Sequence, residues 1–170
     1  MALEGNTVRN LRAALGNLAA ASEVQTALEV VDGVLATATE ITNLCDNIPY
    51  SATLTPGAGA SNVCEVTIQV LNAAGVAVAY PVILDVLLSD AATGTGLTAT
   101  TASGAVAAKA SSGTDLAVLV AKKATRVQTK ADGTYILSIT DTAKTGFYVV
   151  AAIPGVPHSV SSVLVTGNYG

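Results

Sequence analysis

The apolar positions of this chain follow two periods. Over residues 6–46 they recur every three or four residues, and from residue 63 onward they alternate. In the first part, Asn6 or Thr7 can cap a helix, and Val8, Leu11, Leu15 and Leu18 follow as one amphipathic stripe. Ser22 with Gln25 three residues on forms a capping box, so a helix restarts there. Val24, Leu28, Val31 and Leu35 keep the spacing in a register displaced by one residue from the first stripe. Asp32-Gly33 reads as a stop, with glycine suited to the left-handed position after a helix. Thr37 and Glu40 make a second capping box and open a third helix over Ile41, Leu44 and Cys45. Asn47-Ile48-Pro49 closes it, because the residue before proline is pushed out of the α region.

Residues 1–49 are therefore expected to form a segment of short helices. Isolated helices below about 12–15 residues are marginal in water, so their stripes need cover. Packing on the C-terminal part of the same chain would supply it. So would self-association about a common axis, with the Val, Leu and Ile stripe positions facing inward. Periodicity alone leaves both open. The next stretch, 50–62, YSATLTPGAGASN, is small and glycine-rich and reads as a linker.

From residue 63 the alternation takes over. Cys64, Val66, Ile68 and Val70 interleave with Glu65, Thr67 and Gln69 as a half-buried strand, and Asn72-Ala73-Ala74-Gly75 is a turn. Residues 76–80 and 82–88 are more continuously apolar, with Pro81 marking an edge or a bend. After the loop at 89–96, short segments are expected near 97–101, 105–109 and 116–121. A hairpin is expected over 124–129 and 134–140, turning at Ala131-Asp132-Gly133 with Tyr135, Leu137 and Ile139 on one face. Residues 147–153 and 159–165 complete the set, divided by Pro154-Gly155-Val156-Pro157. Short strands with turn signals every 8–12 residues predict a β-sandwich of immunoglobulin-like type over 63–170. The fold class expected is thus mainly β, an immunoglobulin-like β-sandwich preceded by short oligomerising α-helices.

Composition sharpens this picture. The chain of 170 residues is 51% hydrophobic and only 12% charged, which excludes intrinsic disorder. Its mean hydropathy of +0.55 is high for a monomer in water, which points to surface covered by partners. A membrane span is the weaker explanation, since the apolar region 73–88 is broken by Gly75, Pro81 and Asp85. The N-terminus has no apolar core of a signal peptide, so the product is expected in the cytoplasm or in something assembled there.

Charge is lopsided. Residues 1–50 hold six acids against Arg9 and Arg12, whereas the remainder balances six acids with six bases. No net basic face is on offer to nucleic acid. The one basic cluster, Lys122, Lys123, Arg126 and Lys130, lacks interleaved aromatics and reads as a solvated strand face.

Little in the chain suggests chemistry. His158, the sole histidine, sits in a turn beside Pro157 with no carboxylate or nucleophile near it in sequence. Thr93-Gly94-Thr95-Gly96 has no following Lys-Ser/Thr to hold phosphate. Asp85, Asp90, Asp115, Asp132 and Asp141 sit mostly at strand ends and turns, where aspartate serves the backbone. No catalytic residue, metal site or cofactor is expected. Cys45 and Cys64 are the only cysteines. They read either as reduced small hydrophobes or as a disulfide between the last helix and the first strand.

Several phrases carry a resemblance. Thr37-Ala38-Thr39-Glu40-Ile41-Thr42-Asn43-Leu44-Cys45-Asp46, and before it Leu28-Glu29-Val30-Val31-Asp32-Gly33-Val34, resemble the T-A-x-E-[I/L]-N-x-L-D-G-V phrases of tailed-bacteriophage virion proteins. Thr42 departs from that pattern where Asn would stand, and Cys45-Asp46 where Asp-Gly would stand. The C-terminal part is similar to a β-domain of phage structural proteins in Val66-Thr67-Ile68-Gln69-Val70, Asn72-Ala73-Ala74-Gly75 and Leu88-Ser89-Asp90-Ala91-Ala92-Thr93-Gly94. Ala131-Asp132-Gly133-Thr134 and Leu137-Ser138-Ile139-Thr140-Asp141-Thr142 complete the likeness, which spans most of residues 21–165.

The resemblance implies a noncatalytic virion component of the capsid surface, a decoration, cement or head-fibre protein. It would be assembled in the host cytoplasm, frequently as a homotrimer, and would bind the major capsid protein or another virion protein. A tail-fibre or baseplate adhesin with a receptor- or glycan-reading β-domain is the other structural role it allows.

Overall fold

The computed structural model describes residues 47–170. The apolar stripe positions from Val8 to Leu44, and Cys45, lie outside the described residues, as does nearly all of the helical segment expected over 1–49.

The described part is mainly β. Nine strands form two antiparallel sheets: β1 (Pro49–Ala58), β2 (Val63–Asn72), β3 (Ile83–Ser89), β4 (Val106–Ala108), β5 (Thr114–Val120), β6 (Ala124–Gln128), β7 (Thr134–Thr140), β8 (Tyr148–Ala152) and β9 (Ser159–Val160). One sheet has the order β1-β2-β7-β4 and the other β5-β6-β3-β8-β9. A 3-10 turn at Thr166–Asn168 precedes the C-terminus.

Alternation in sequence becomes alternation in burial. Every second residue of β2, from Cys64 to Asn72, is buried, and Tyr135, Leu137 and Ile139 of β7 are fully buried beside them. Leu84, Val86 and Leu88 of β3, Val127 of β6, and Val149 and Ala151 of β8 meet them from the other sheet in a single core. Phe147, Leu164 and Tyr169 close it, with the Tyr169 hydroxyl donating to Thr145 O at 2.8 Å.

Two expectations need correction. Residues 50–62 are not a linker: most of them form β1, paired with β2 from Pro49↔Asn72 to Ala58↔Cys64. Small residues, Pro56 and Gly57 hid a strand because β1 is an edge, where a proline lacking its N–H is tolerated. Ala52 and Leu54 turn toward the core, and Ala52 N donates to Ser159 Oγ at 2.9 Å, which ties β1 to β9 of the other sheet.

The second correction concerns residues 124–140. The expected hairpin turn is present, with Lys130 N to Thr134 O at 2.8 Å and Asp132 Oδ1 accepting from Thr134 N at 3.0 Å. The strands that it joins nevertheless belong to different sheets. Thr129 holds the β6 end to Val82, donating N–H to its carbonyl at 2.9 Å and accepting its N–H on Oγ1 at 2.8 Å. Gln69 of β2 holds the other side, with Nε2 on Asp132 O at 2.9 Å and Oε1 accepting from Thr134 Oγ1 at 3.0 Å. The turn is thus a corner between sheets.

Gly133 is required at this corner. Its φ is +72°, and a Cβ there would stand 2.7 Å from Val78 Cγ2 and 2.8 Å from Val78 O. Left-handed backbone alone costs an L-residue about 1–2 kcal/mol. Gly133→Ala is therefore expected to lower the stability of the domain by about 2 kcal/mol or more. A chemical denaturation midpoint unchanged from wild type would refute that requirement.

The remaining segments follow the sequence more loosely. Residues 76–80 contribute an isolated bridge, Leu71↔Ala77, rather than a strand, and 97–101 form no strand. The last strand is two residues, Ser159–Val160, because Ser161 Oγ takes the Val149 N–H at 2.9 Å in place of a backbone carbonyl. The chain then runs on beside β8, with Leu164 N donating to Phe147 O at 2.8 Å, and buries Leu164 and Tyr169.

Candidate interaction surface

The polar groups that chemistry would need are used to hold the frame. His158 Nε2 lies 2.7 Å from Thr93 O, so the imidazole latches two loops. Asp90 accepts from Thr98 Oγ1 at 2.6 Å and from Ala99 N at 2.7 Å, and those hydrogen bonds hold its carboxyl below the usual range. Asp141, buried, accepts from Ser103 N at 3.1 Å and Thr145 N at 2.8 Å. Among the described residues, no three His, Cys, Asp or Glu side chains gather as a metal-holding group. A shallow hollow of about 370 Å³ lies against Asn72 and the turn at 76–80, bordered mainly by valine and alanine.

Cys64 is a free thiol, fully buried, with Sγ 3.7 Å from Gly57 O. Burial, then the charge of Glu65, pushes it up to about 11. A thiol so raised stays protonated and unreactive at neutral pH. It fills the core here, while its candidate disulfide partner, Cys45, lies outside the described residues.

The basic cluster disperses. Arg126 forms a two-pronged pair with Asp85, at 2.7 Å from Nε and 3.0 Å from Nη2. Lys130 faces Asp132 at 3.4 Å. Lys122 and Lys123 donate to backbone carbonyls, of Ser103 at 2.8 Å and of Thr98 at 2.8 Å.

What remains unspent is apolar. β5, Thr114–Val120, is the outermost strand of its sheet, paired with β6 alone. All seven of its residues are exposed, including Leu116, Leu119 and Val120, and Val118 is 71% exposed. Val118 stands opposite Thr125, which shares a face of β6 with the core residue Val127. Val118 thus points to the side where a core would be, and finds none. The cause is the opposing edge. β4 is three residues long and is tied to β5 at Asp115, whose carboxylate accepts from Ala108 N at 2.9 Å. The other seam, between β1 and β9, is closed by Ala52 and Ser159.

Two register shifts interrupt β5, between Asp115 and Ala117 and between Val118 and Val120, so Leu116 and Leu119 have no opposite residue on β6. These bulges spoil a continuous backbone ladder on the open edge, as natural edges commonly do. The side chains still line the open edge as an exposed apolar ridge, Val118 on the Val127 side of the sheet and Val120 on the side of Ala124 and Arg126, and such a ridge marks a contact surface. Sequence reading placed a strand near 116–121 but gave it no such role. The signal available was an unbroken run, Leu116 to Val120, followed at once by Lys122-Lys123, the charged flank of an unavoidable hydrophobic strand.

Among the described residues, no helix is long and apolar enough to cross a membrane. The chain matches no protein-family model, no curated protein sequence and no solved structure.

Proposed function

We propose that this chain is a noncatalytic structural protein of a tailed-phage virion, a capsid decoration, cement or head-fibre component that acts as an oligomer. The observation that carries this reading is β5, an apolar strand held on the open seam of a domain whose polar groups serve its own frame. Such a domain offers adhesion, and adhesion repeated over a lattice gains strength by avidity. The phage-like phrases support it from the sequence side: they fall on β2 and its turn, on β3 and the loop after it, on the corner before β7, and on β7 itself.

The strand order supports an immunoglobulin-like reading. β1, β2, β7 and β4 take the places of strands A, B, E and D, and β3, β8 and β9 those of C, F and G. The β5–β6 hairpin is then an addition on the outer side of C.

In this reading residues 1–49 join subunits through Val8, Leu11, Leu15, Leu18, Val24, Leu28, Val31, Leu35, Ile41 and Leu44, and the partner is the major capsid protein or another virion protein. The full chain is expected to have a native mass three times its 16.8 kDa in solution. Leu11→Asp with Leu28→Asp should return it to a single chain mass. The trimer should co-sediment with undecorated phage capsids. A wild-type chain that stays monomeric at micromolar concentration, or a trimer that leaves capsids unbound, would overturn the respective half of the proposal.

A further inference from the structure

We infer that β5 is a weak self-association surface, too weak to change the native mass of the dilute chain and effective at the high local concentration of an assembly, in which the apolar ridges of two copies pack antiparallel across a two-fold axis passing near Val118. The ridge is self-complementary in shape class. Centring the axis on Val118 sets Val118 against its own copy, Leu116 of one copy against Val120 of the other and Ala117 against Leu119, so every facing pair from 116 to 120 is apolar. Contacts of this kind use the same patch on both copies, which a two-fold axis requires.

Charge selects the antiparallel direction and the second copy. Asp115 opens the strand and Lys122 follows its end, both exposed. Neither takes part in an ion pair among the described residues. Asp115 has neutral donors only, the Tyr135 hydroxyl at 2.6 Å and Ala108 N at 2.9 Å. Lys122 donates to the neutral carbonyl of Ser103. Each end of the ridge thus keeps an uncompensated charge of opposite sign. Antiparallel packing brings each Asp115 next to the partner's Lys122 on both sides of the axis, whereas parallel packing would set like charges together. Charge arranged this way selects orientation more than it adds affinity. The two bulges keep the open edge from extending into a long ladder, so the contact is made by side chains.

The test uses the full chain carrying Val118→Cys. A residue on the axis meets its own copy, with Cβ atoms close enough to bridge. Mild oxidation should give a covalent two-chain band on a denaturing, non-reducing gel, at least ten times faster than Val76→Cys, an exposed site on a turn remote in sequence. Wild type, with its own Cys45 and Cys64, sets the background. Adding Lys122→Glu should slow the cross-link severalfold by placing acid against acid. Because covalent pairs are counted, the result is independent of any trimer formed through residues 1–49. Cross-linking no faster than that of Val76→Cys would overturn the contact, and a rate unmoved by Lys122→Glu would overturn its charge-matched direction. Loss of capsid binding in Val118→Lys, with no Val118→Cys pair formed, would reassign the ridge to the capsid and also overturn it.

Discussion

Tyr135→Ala is expected to cost the domain about 3–5 kcal/mol, the range seen when buried aromatic side chains are truncated. The ring is fully buried on β7 as part of the core, and it fits there because of glycine. Gly113, at φ +125°, leaves the space that a Cβ would take, 2.5 Å from Tyr135 Cδ2 and 2.8 Å from Gln128 O. Removing the ring opens a cavity between two sheets that have little else of its size to fill it. A typical domain has a total stability of about 5–15 kcal/mol, so the variant should sit close to the edge of folding.

Tyr135→Phe separates packing from hydrogen bonding. The phenol donates to Asp115 at 2.6 Å, and burial, then that carboxylate's hydrogen bond and charge, pushes the phenol upward. Its proton therefore stays on oxygen at all working pH values. Losing a hydrogen bond to a charged acceptor should cost about 1.5–3 kcal/mol. The loss also frees the start of β5, so amide exchange over residues 114–120 should quicken more than over β2. A Tyr135→Ala midpoint shift worth under about 1 kcal/mol would contradict the assigned packing. Uniform exchange in Tyr135→Phe would contradict the anchoring of β5.

Asp141→Ala is the second large effect expected, about 2–3 kcal/mol, since it orphans the N–H groups of Ser103 and Thr145 in a turn that the side chain organises. Burial raises its carboxyl pKa, but the hydrogen bonds from Thr145 and Ser103 outweigh burial and leave it lowered overall. A carboxylate with a lowered folded pKa stabilises fully above its unfolded value, about 3.9, and loses that contribution as pH falls toward the folded one. The stability gap between wild type and Asp141→Asn should therefore hold steady from about pH 7 to pH 5 and narrow below about pH 4. A gap unchanged down to about pH 2 would show that the charge plays no part.

These effects differ in how far the sequence foretold them. Alternation in β2 and β7 was enough to name Val66, Ile68, Leu137 and Ile139 as one buried face, because a period of two leaves a strand one face to bury. Turn chemistry at Asn72–Gly75 and Asp132–Gly133 was equally local, and both glycines take positive φ. That alternation could not say which strands share a sheet. Lys130–Thr134 is a good hairpin turn by every local measure, yet Thr129 on Val82 and Gln69 on the turn send its two arms to opposite layers. β1 was invisible because an edge strand with Pro56 owes its form to β2, 23 residues away at the far end of the pairing (Pro49 to Asn72), rather than to its own residues.

A β-domain, its central strands and the faces they bury are legible in the chain alone, since side-chain alternation and turn residues act over a few bonds. How the seams close emerges from folding: one is tied by Ala52 and Ser159, while the other stops at a three-residue β4. That difference turns Leu116–Val120 from an ordinary apolar run into a ridge facing outward, because exposure is a property of what stands opposite, and no residue carries its neighbour in its own letter.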